Sequence, residues 1–185
     1  MPNREPRPSV VLQGFIGGVV NTADAASRLA QVILGRLIDQ RRLARCLPLQ
    51  VQDRGDRWFL SGSGEDRPPE CRIEIDKLDA RVLSLGVPTP PEILRDAATA
   101  REFAAILAET GGDGASSEQH SRCAVTDRGD TWLVRCRGHI PPATEGSGPF
   151  RLEIQKRDAR VLDIWFEWNL YTPPEVDELL RTTKE

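Results

Sequence analysis

The chain is short of the residues that most chemistry requires. It has two histidines, one methionine and one tyrosine among 185 residues. His120 lies in a polar stretch and His139 precedes Pro141-Pro142, and neither has a Ser, Cys or Asp at a recognisable catalytic spacing. A nucleophile–base triad is therefore not written in the sequence. A glycine-rich phosphate loop and an HExxH motif are also lacking, so no catalytic residue, cofactor or metal ligand is expected. The four cysteines Cys46, Cys71, Cys123 and Cys136 contain no Cys-x-x-Cys pair, which argues against a zinc site or a dithiol redox motif. The expectation is reduced, partly buried thiols that pack as small apolar groups.

Long apolar runs are missing too. Val10 to Val20 is too short to span a bilayer and is interrupted by Gln13 and three glycines. With Arg4 and Arg7 before it and Ala23-Asp24-Ala25 after it, the stretch resembles a signal peptide; the preferred reading is an N-terminal strand or packing arm over residues 1–21. A basic excess is absent as well. The net charge is -3, which excludes a general phosphate-backbone binder and leaves no nucleic-acid partner expected. Residues 22–95 carry 12 basic and 11 acidic side chains and residues 96–185 carry 11 and 16, so the second half is the acidic one. At 39% hydrophobic and 29% charged residues, the chain has the balance of a globular protein, neither disordered nor membrane-embedded.

What is present is a repeat. Val51 to Trp58, VQDRGDRW, returns as VTDRGDTW at Val125 to Trp132. Arg72 to Leu83, RIEIDKLDARVL, returns as RLEIQKRDARVL at Arg151 to Leu162, and TPPE at Thr89 to Glu92 returns at Thr172 to Glu175. Of these 24 aligned positions 19 are identical, against roughly one or two from background composition, which establishes a duplication. The offset grows from 74 to 79 to 83 residues, placing the length gained by the second copy in loops. Each copy holds two cysteines at positions that do not correspond, so a shared disulfide framework is not expected.

Asp24-Ala25-Ala26 and Asp96-Ala97-Ala98 each open an alanine-rich stretch, giving a helix ahead of the strands in both copies. In the first, Leu29, Val32, Ile33, Arg36 and Leu37 form a stripe, Thr22 is the cap, and the helix should run over about 23–45. In the second, Thr89-Pro90-Pro91-Glu92 reads as a capping box for a helix reaching about Thr110. DRGD reads as a tight hairpin with Gly55 or Gly129 at positive φ. Alternating Ile73 and Ile75, and Leu152 and Ile154, mark half-buried antiparallel strands. The fold expected is α+β, with two tandem units over 22–88 and 89–171, each a helix on about four antiparallel strands, and a short C-terminal helix over 172–185.

Aspartates 53, 56, 127 and 130 look like paired carboxylates, but aspartate is favoured in turns and both copies keep them, so a structural role is expected. Trp58 and Trp132 are read as core anchors between helix and sheet. The run Asp163-Ile164-Trp165-Phe166-Glu167-Trp168-Asn169-Leu170-Tyr171 has no aromatic counterpart in the first copy. Both faces of such a strand carry a tryptophan, so one must be covered by the first copy, a second chain or a partner. Asp163, Trp165, Glu167, Trp168 and Tyr171 are the candidate partner-binding residues.

Helix, V-x-D-x-G-D-x-W-x-V, loop and E-I-x-K-x-D-x-x-V-L together resemble the NTF2-fold immunity domain of bacterial polymorphic toxin systems, here in duplicate. The resemblance implies an NTF2-like or cystatin-like fold in each unit and a cytoplasmic protein that binds a cognate toxin without catalysis. The aromatic strand leaves a homodimer as a further expectation, and the lack of a long apolar run leaves no membrane partner expected. NTF2-like folds also host enzymes with a pocket carboxylate, or serve as general assembly modules. The family's glycine after the aspartate of the last turn is replaced here by Ala80 and Ala159, so either the aspartate takes the left-handed position or the turn type differs.

Overall fold

A computed structural model of the chain describes residues 18–62, 71–109, 123–137 and 149–166. Within them run α1 (Ala23–Leu37), α2 (Gln40–Cys46), β1 (Leu49–Asp53), β2 (Arg57–Gly62), β3 (Ile73–Asp76), β4 (Val82–Leu85), α3 (Ala97–Glu109), β5 (Ala124–Asp127), β6 (Thr131–Arg137), β7 (Pro149–Gln155) and β8 (Val161–Phe166). The architecture is α+β, with two four-stranded antiparallel sheets in the orders β1-β2-β3-β4 and β5-β6-β7-β8. In both sheets the register slips by a bulge at the same place, between Glu74 and Ile75 and between Glu153 and Ile154. The C-terminal helix expected over 172–185 lies outside the described residues.

Thr22 caps α1 as expected, its Oγ1 accepting from Ala25 N at 3.2 Å. The buried face is Ala25, Ala26, Leu29, Ala30, Ile33 and Leu34, whereas Arg36, expected in the stripe, is exposed. The single helix expected to Arg45 is two. Ile38 is extended, and Asp39 starts α2 by accepting from Arg42 N at 3.0 Å, so an aspartate that could cap locally ended one helix and began another.

The second long helix begins later than the TPPE reading placed it. Its cap is Asp96, whose carboxylate takes Thr99 N at 2.8 Å and the Thr99 hydroxyl at 3.0 Å. Ile93 and Leu94 are buried in the core, and both amides donate to the Lys156 carbonyl at 2.9 Å, which holds residues 93–94 out of a helix. Asp96 therefore stands where Thr22 stands in the first copy, at the same 74-residue offset as the DRGD blocks. Matching Asp24-Ala-Ala to Asp96-Ala-Ala was two residues out of register.

The same staple opens the first copy. Val19 N donates to Leu78 O at 3.2 Å and Val20 N to Lys77 O at 3.0 Å. Gly18 has φ +83°, and any Cβ there would run into the Lys77 carbonyl, so glycine is required. Val19 and Val20 are core residues. The rest of the segment expected as an N-terminal strand or packing arm, residues 1–17, lies outside the described residues.

Helix α1 packs on β1 to β3, α3 packs on β5 and β6, and the two helices pack on each other. One hydrophobic core runs through both copies. The join also has a polar part near a pseudo-twofold axis. Val82 N donates to Asp158 O at 2.8 Å, and Val161 N donates to Asp79 O at 2.7 Å. Beside them Arg160 Nε donates to Asp79 Oδ2 at 2.7 Å, with only 9% and 4% of the two side chains exposed.

Ala80 and Ala159 themselves adopt the left-handed conformation, at φ 60° and 61°. This costs roughly 1–2 kcal/mol per residue. Both methyls are completely buried next to the join, contact that glycine would forfeit.

The thiol expectation is corrected. Cys46 is bonded to Cys71 and Cys123 to Cys136, with Cα separations of 5.5 and 4.2 Å. The cysteines do not correspond in sequence, yet the bridges lie at the same place. Gly62 is the counterpart of Cys136, and a Cβ on Gly62 would sit 3.2 Å from Cys71 Cβ and 3.4 Å from Cys46 Cα. The first bridge fills the space that the Cys136 side chain fills in the second copy.

Candidate interaction surface

The DRGD turns are structural. Gly55 and Gly129 take φ +83° and +79°, and Asp53 Oδ1 accepts from Gly55 N just as Asp127 Oδ1 accepts from Gly129 N, each at 2.8 Å. The same oxygens bind Lys77 Nζ at 2.5 Å and Lys156 Nζ at 2.6 Å. Each ammonium also lies 4.1 Å from the ring centroid of its tryptophan, Trp58 or Trp132. The carbonyls of Asp56 and Asp130 accept from the amides of Lys77 and Lys156, and the Asp56 carboxylate is bidentate on Arg57. Among the described residues no group of three acidic, His or Cys side chains could hold a metal ion.

Trp58 and Trp132 are 7% and 6% exposed and are anchors of the core. Their indole N–H groups reach the staples, donating to Val20 O at 2.7 Å and to Leu94 O at 2.8 Å. A turn, an aspartate, a lysine, a tryptophan and a staple thus form one local network in each copy. That is why these residues are the ones repeated.

The lysine hydrogen bond, then the glycine amide, holds Asp53 and Asp127 below the ordinary carboxylate value of 3.8. A carboxylate lowered in the folded state adds stability above its unfolded value and loses it as pH falls through its folded one. Asp76 runs the other way, because burial, and then Asp79, raises it; its contribution is full below the unfolded value and fades as pH rises. The variant carrying Asp53→Asn and Asp127→Asn is therefore expected to lose less stability than the parent on acidification from pH 5 to below 3.8. Urea denaturation at a series of pH values checks this, and identical slopes would contradict it.

Of the expected partner-binding residues, Asp163 and Trp165 lie in edge strand β8. Asp163 is half-buried, pairs in register with Glu153 and accepts from Ile164 N at 2.9 Å. Trp165 takes the register position opposite Arg151. Glu167, Trp168 and Tyr171 lie outside the described residues, as do His120 and His139. By the 79-residue offset, Asp163 and Trp165 stand where the first copy has Ser84 and Gly86.

Sequence reasoning missed a cleft of about 330 Å³ between the α1–α2 break and residues 87–95. Arg36, Arg42, Arg95 and Asp39 line it over Leu37, Ile38, Val87, Pro88 and Pro90. The signal available was Arg36, an arginine counted into an apolar stripe.

Compared with protein-family models, curated proteins and solved structures, the chain matches none.

Proposed function

We propose that this chain is an immunity protein of two NTF2-like units that binds and neutralises a cognate bacterial toxin without catalysis. The observation that carries the reading is the difference between the copies at one edge strand. The shared Asp53 and Asp127, Lys77 and Lys156, and Trp58 and Trp132 hold each unit together, and the shared Asp79 and Asp158 turns join the copies. On β8, Asp163 and Trp165 stand where the first copy has a serine and a glycine, and the Asp163 carboxylate accepts from Ile164 N. The join between copies uses the helices and the Asp79 and Asp158 turns and engages β8 at Val161, four residues before Trp165. An acidic, aromatic edge suits a basic partner surface, since tryptophan supplies anchoring area and carboxylates supply charge complementarity.

An enzyme reading has less support. Asp76, the carboxyl that burial raises, accepts from Leu78 N in the β3–β4 turn and is not among the residues lining the cleft.

The compartment reading differs from the resemblance. No described helix is long and apolar enough to cross a membrane. The cytoplasm would keep thiols reduced, so two bridges favour an oxidising compartment over the cytoplasmic location.

The test is binding to toxins encoded beside the gene, by calorimetry and by co-expression rescue. Trp165→Ala and Asp163→Asn are expected to weaken the complex at least about tenfold with an unchanged melting curve. Unchanged affinity in both variants, or no rescue from any neighbouring candidate, would sink the idea.

A further inference from the structure

The cleft beside the α1–α2 break is built from residues that the fold does not demand. By the 74-residue offset, Arg36 and Arg42 have Thr110 and Ser116 as counterparts and Arg95 stands where the first copy has Asn21, so none of the three cations is shared by both copies. All three arginines are exposed, so their positions are not those of core packing.

The chemistry of the lining is one-sided. Leu37 and Val87 are half-buried and Ile38 is buried, and with Pro88 and Pro90 they form an apolar floor. The two prolines have no amide N–H to offer, so donors at the rim come from the guanidiniums. Asp39, the one carboxylate in the lining, is committed: one oxygen caps α2 and the other pairs with Arg42 Nε at 3.2 Å. Arg95 uses its Nε on the Glu92 carbonyl at 3.2 Å, one of its five donors. Asp96, outside the lining, is held chiefly by Thr99, with the Arg36 charge a lesser influence on it. Positive charge therefore exceeds negative around an apolar slot in a chain whose net charge is negative.

We propose that this cleft is a docking groove for an acidic peptide segment of a partner protein, its carboxylates on Arg36, Arg42 and Arg95 and an apolar side chain on the floor. Guanidinium suits this task because its planar fork matches a carboxylate in two parallel bonds. The groove is separate from the β8 edge and does not depend on the partner's being a toxin.

The experiment titrates the full-length, disulfide-intact chain with a labelled peptide of alternating glutamate and leucine, followed by anisotropy and amide chemical shifts. Saturable binding is expected, with shifts at residues 36–42 and 87–95. Affinity should fall at least about tenfold in the Arg36→Gln, Arg95→Gln variant and fall with added salt. The variant should keep its melting temperature, because both side chains are exposed. A peptide with lysine for glutamate should not bind, and inorganic phosphate alone should not compete at matching concentration. No binding, shifts confined to other residues, or equal affinity in the variant would overturn the proposal. So would phosphate binding as tightly as the peptide, which makes the cleft a free-anion site. A dimer in sedimentation that the variant dissolves would also overturn it, by making a second copy the occupant.

Discussion

Replacing Asp79 by alanine is expected to lower the unfolding free energy by about 3–5 kcal/mol, a large part of the total of a typical domain. Asp79 and Arg160 are 3% and 8% exposed, and they meet at the join between the two copies. Truncation strands the Arg160 charge out of water and also removes the acceptor of Arg81 N, held at 3.1 Å. The pseudo-symmetric change, Asp158→Ala, should cost only about 1 kcal/mol. Asp158 is half-buried and accepts from Arg160 N at 3.2 Å, while the counterpart cation Arg81 has its buried Nε without a hydrogen-bond partner. The ion pair is thus formed on one side of the axis only. Urea denaturation of the two variants gives the comparison, and equal losses would mean that the join does not depend on the charge pair. Combining Asp79→Leu with Arg160→Met should recover much of the loss, because removing both charges leaves neither one stranded.

Removing the bridges is the second large effect. Cys46 and Cys71 are 25 residues apart, and Cys123 and Cys136 are 13 apart. Loop-closure entropy in the unfolded chain then puts the stabilisation at about 3–4 kcal/mol for the first and about 3 kcal/mol for the second. Alanine is the proper replacement, because all four sulfurs are buried and a serine hydroxyl would need a partner. The Cys46→Ala, Cys71→Ala protein should melt well below the parent, and removing both pairs should cost about the sum, since each bridge closes a separate loop. Thermal melts with and without reductant check this. A parent whose melting is unmoved by reductant, while free thiols are shown to form, would contradict it.

These two effects lie where local sequence rules stop. The DRGD hairpins, the Thr22 cap, the buried tryptophans and the alternating strands were all legible, because each follows from the preferences of a few adjacent residues. The helix start at Asp96 was not. Thr89-Pro-Pro-Glu has the form of a capping box, but Ile93 and Leu94 bond to a carbonyl 63 and 62 residues further on, and that long-range bond outweighs a local preference. The aspartate-or-turn-type alternative for the last turn also missed the outcome. Alanine itself takes the left-handed backbone, with its methyl fully buried. Of the candidate surface, the edge strand was visible from the unmatched aromatic run, whereas the arginine cleft was not, because its lining comes from two helices and a linker up to 59 residues apart.

By itself the sequence determined the duplication, the order of helix and strands within a copy, and the DRGD turn and core tryptophan that both copies repeat. Short-range geometry and identical blocks are enough for that. Tertiary structure alone decided that the copies close on each other through one Asp79–Arg160 pair. It also decided that unmatched cysteines meet at matched places, and that three arginines share one cleft. Each of these depends on distances between residues far apart in the chain, which the packing of the helices and the turns sets.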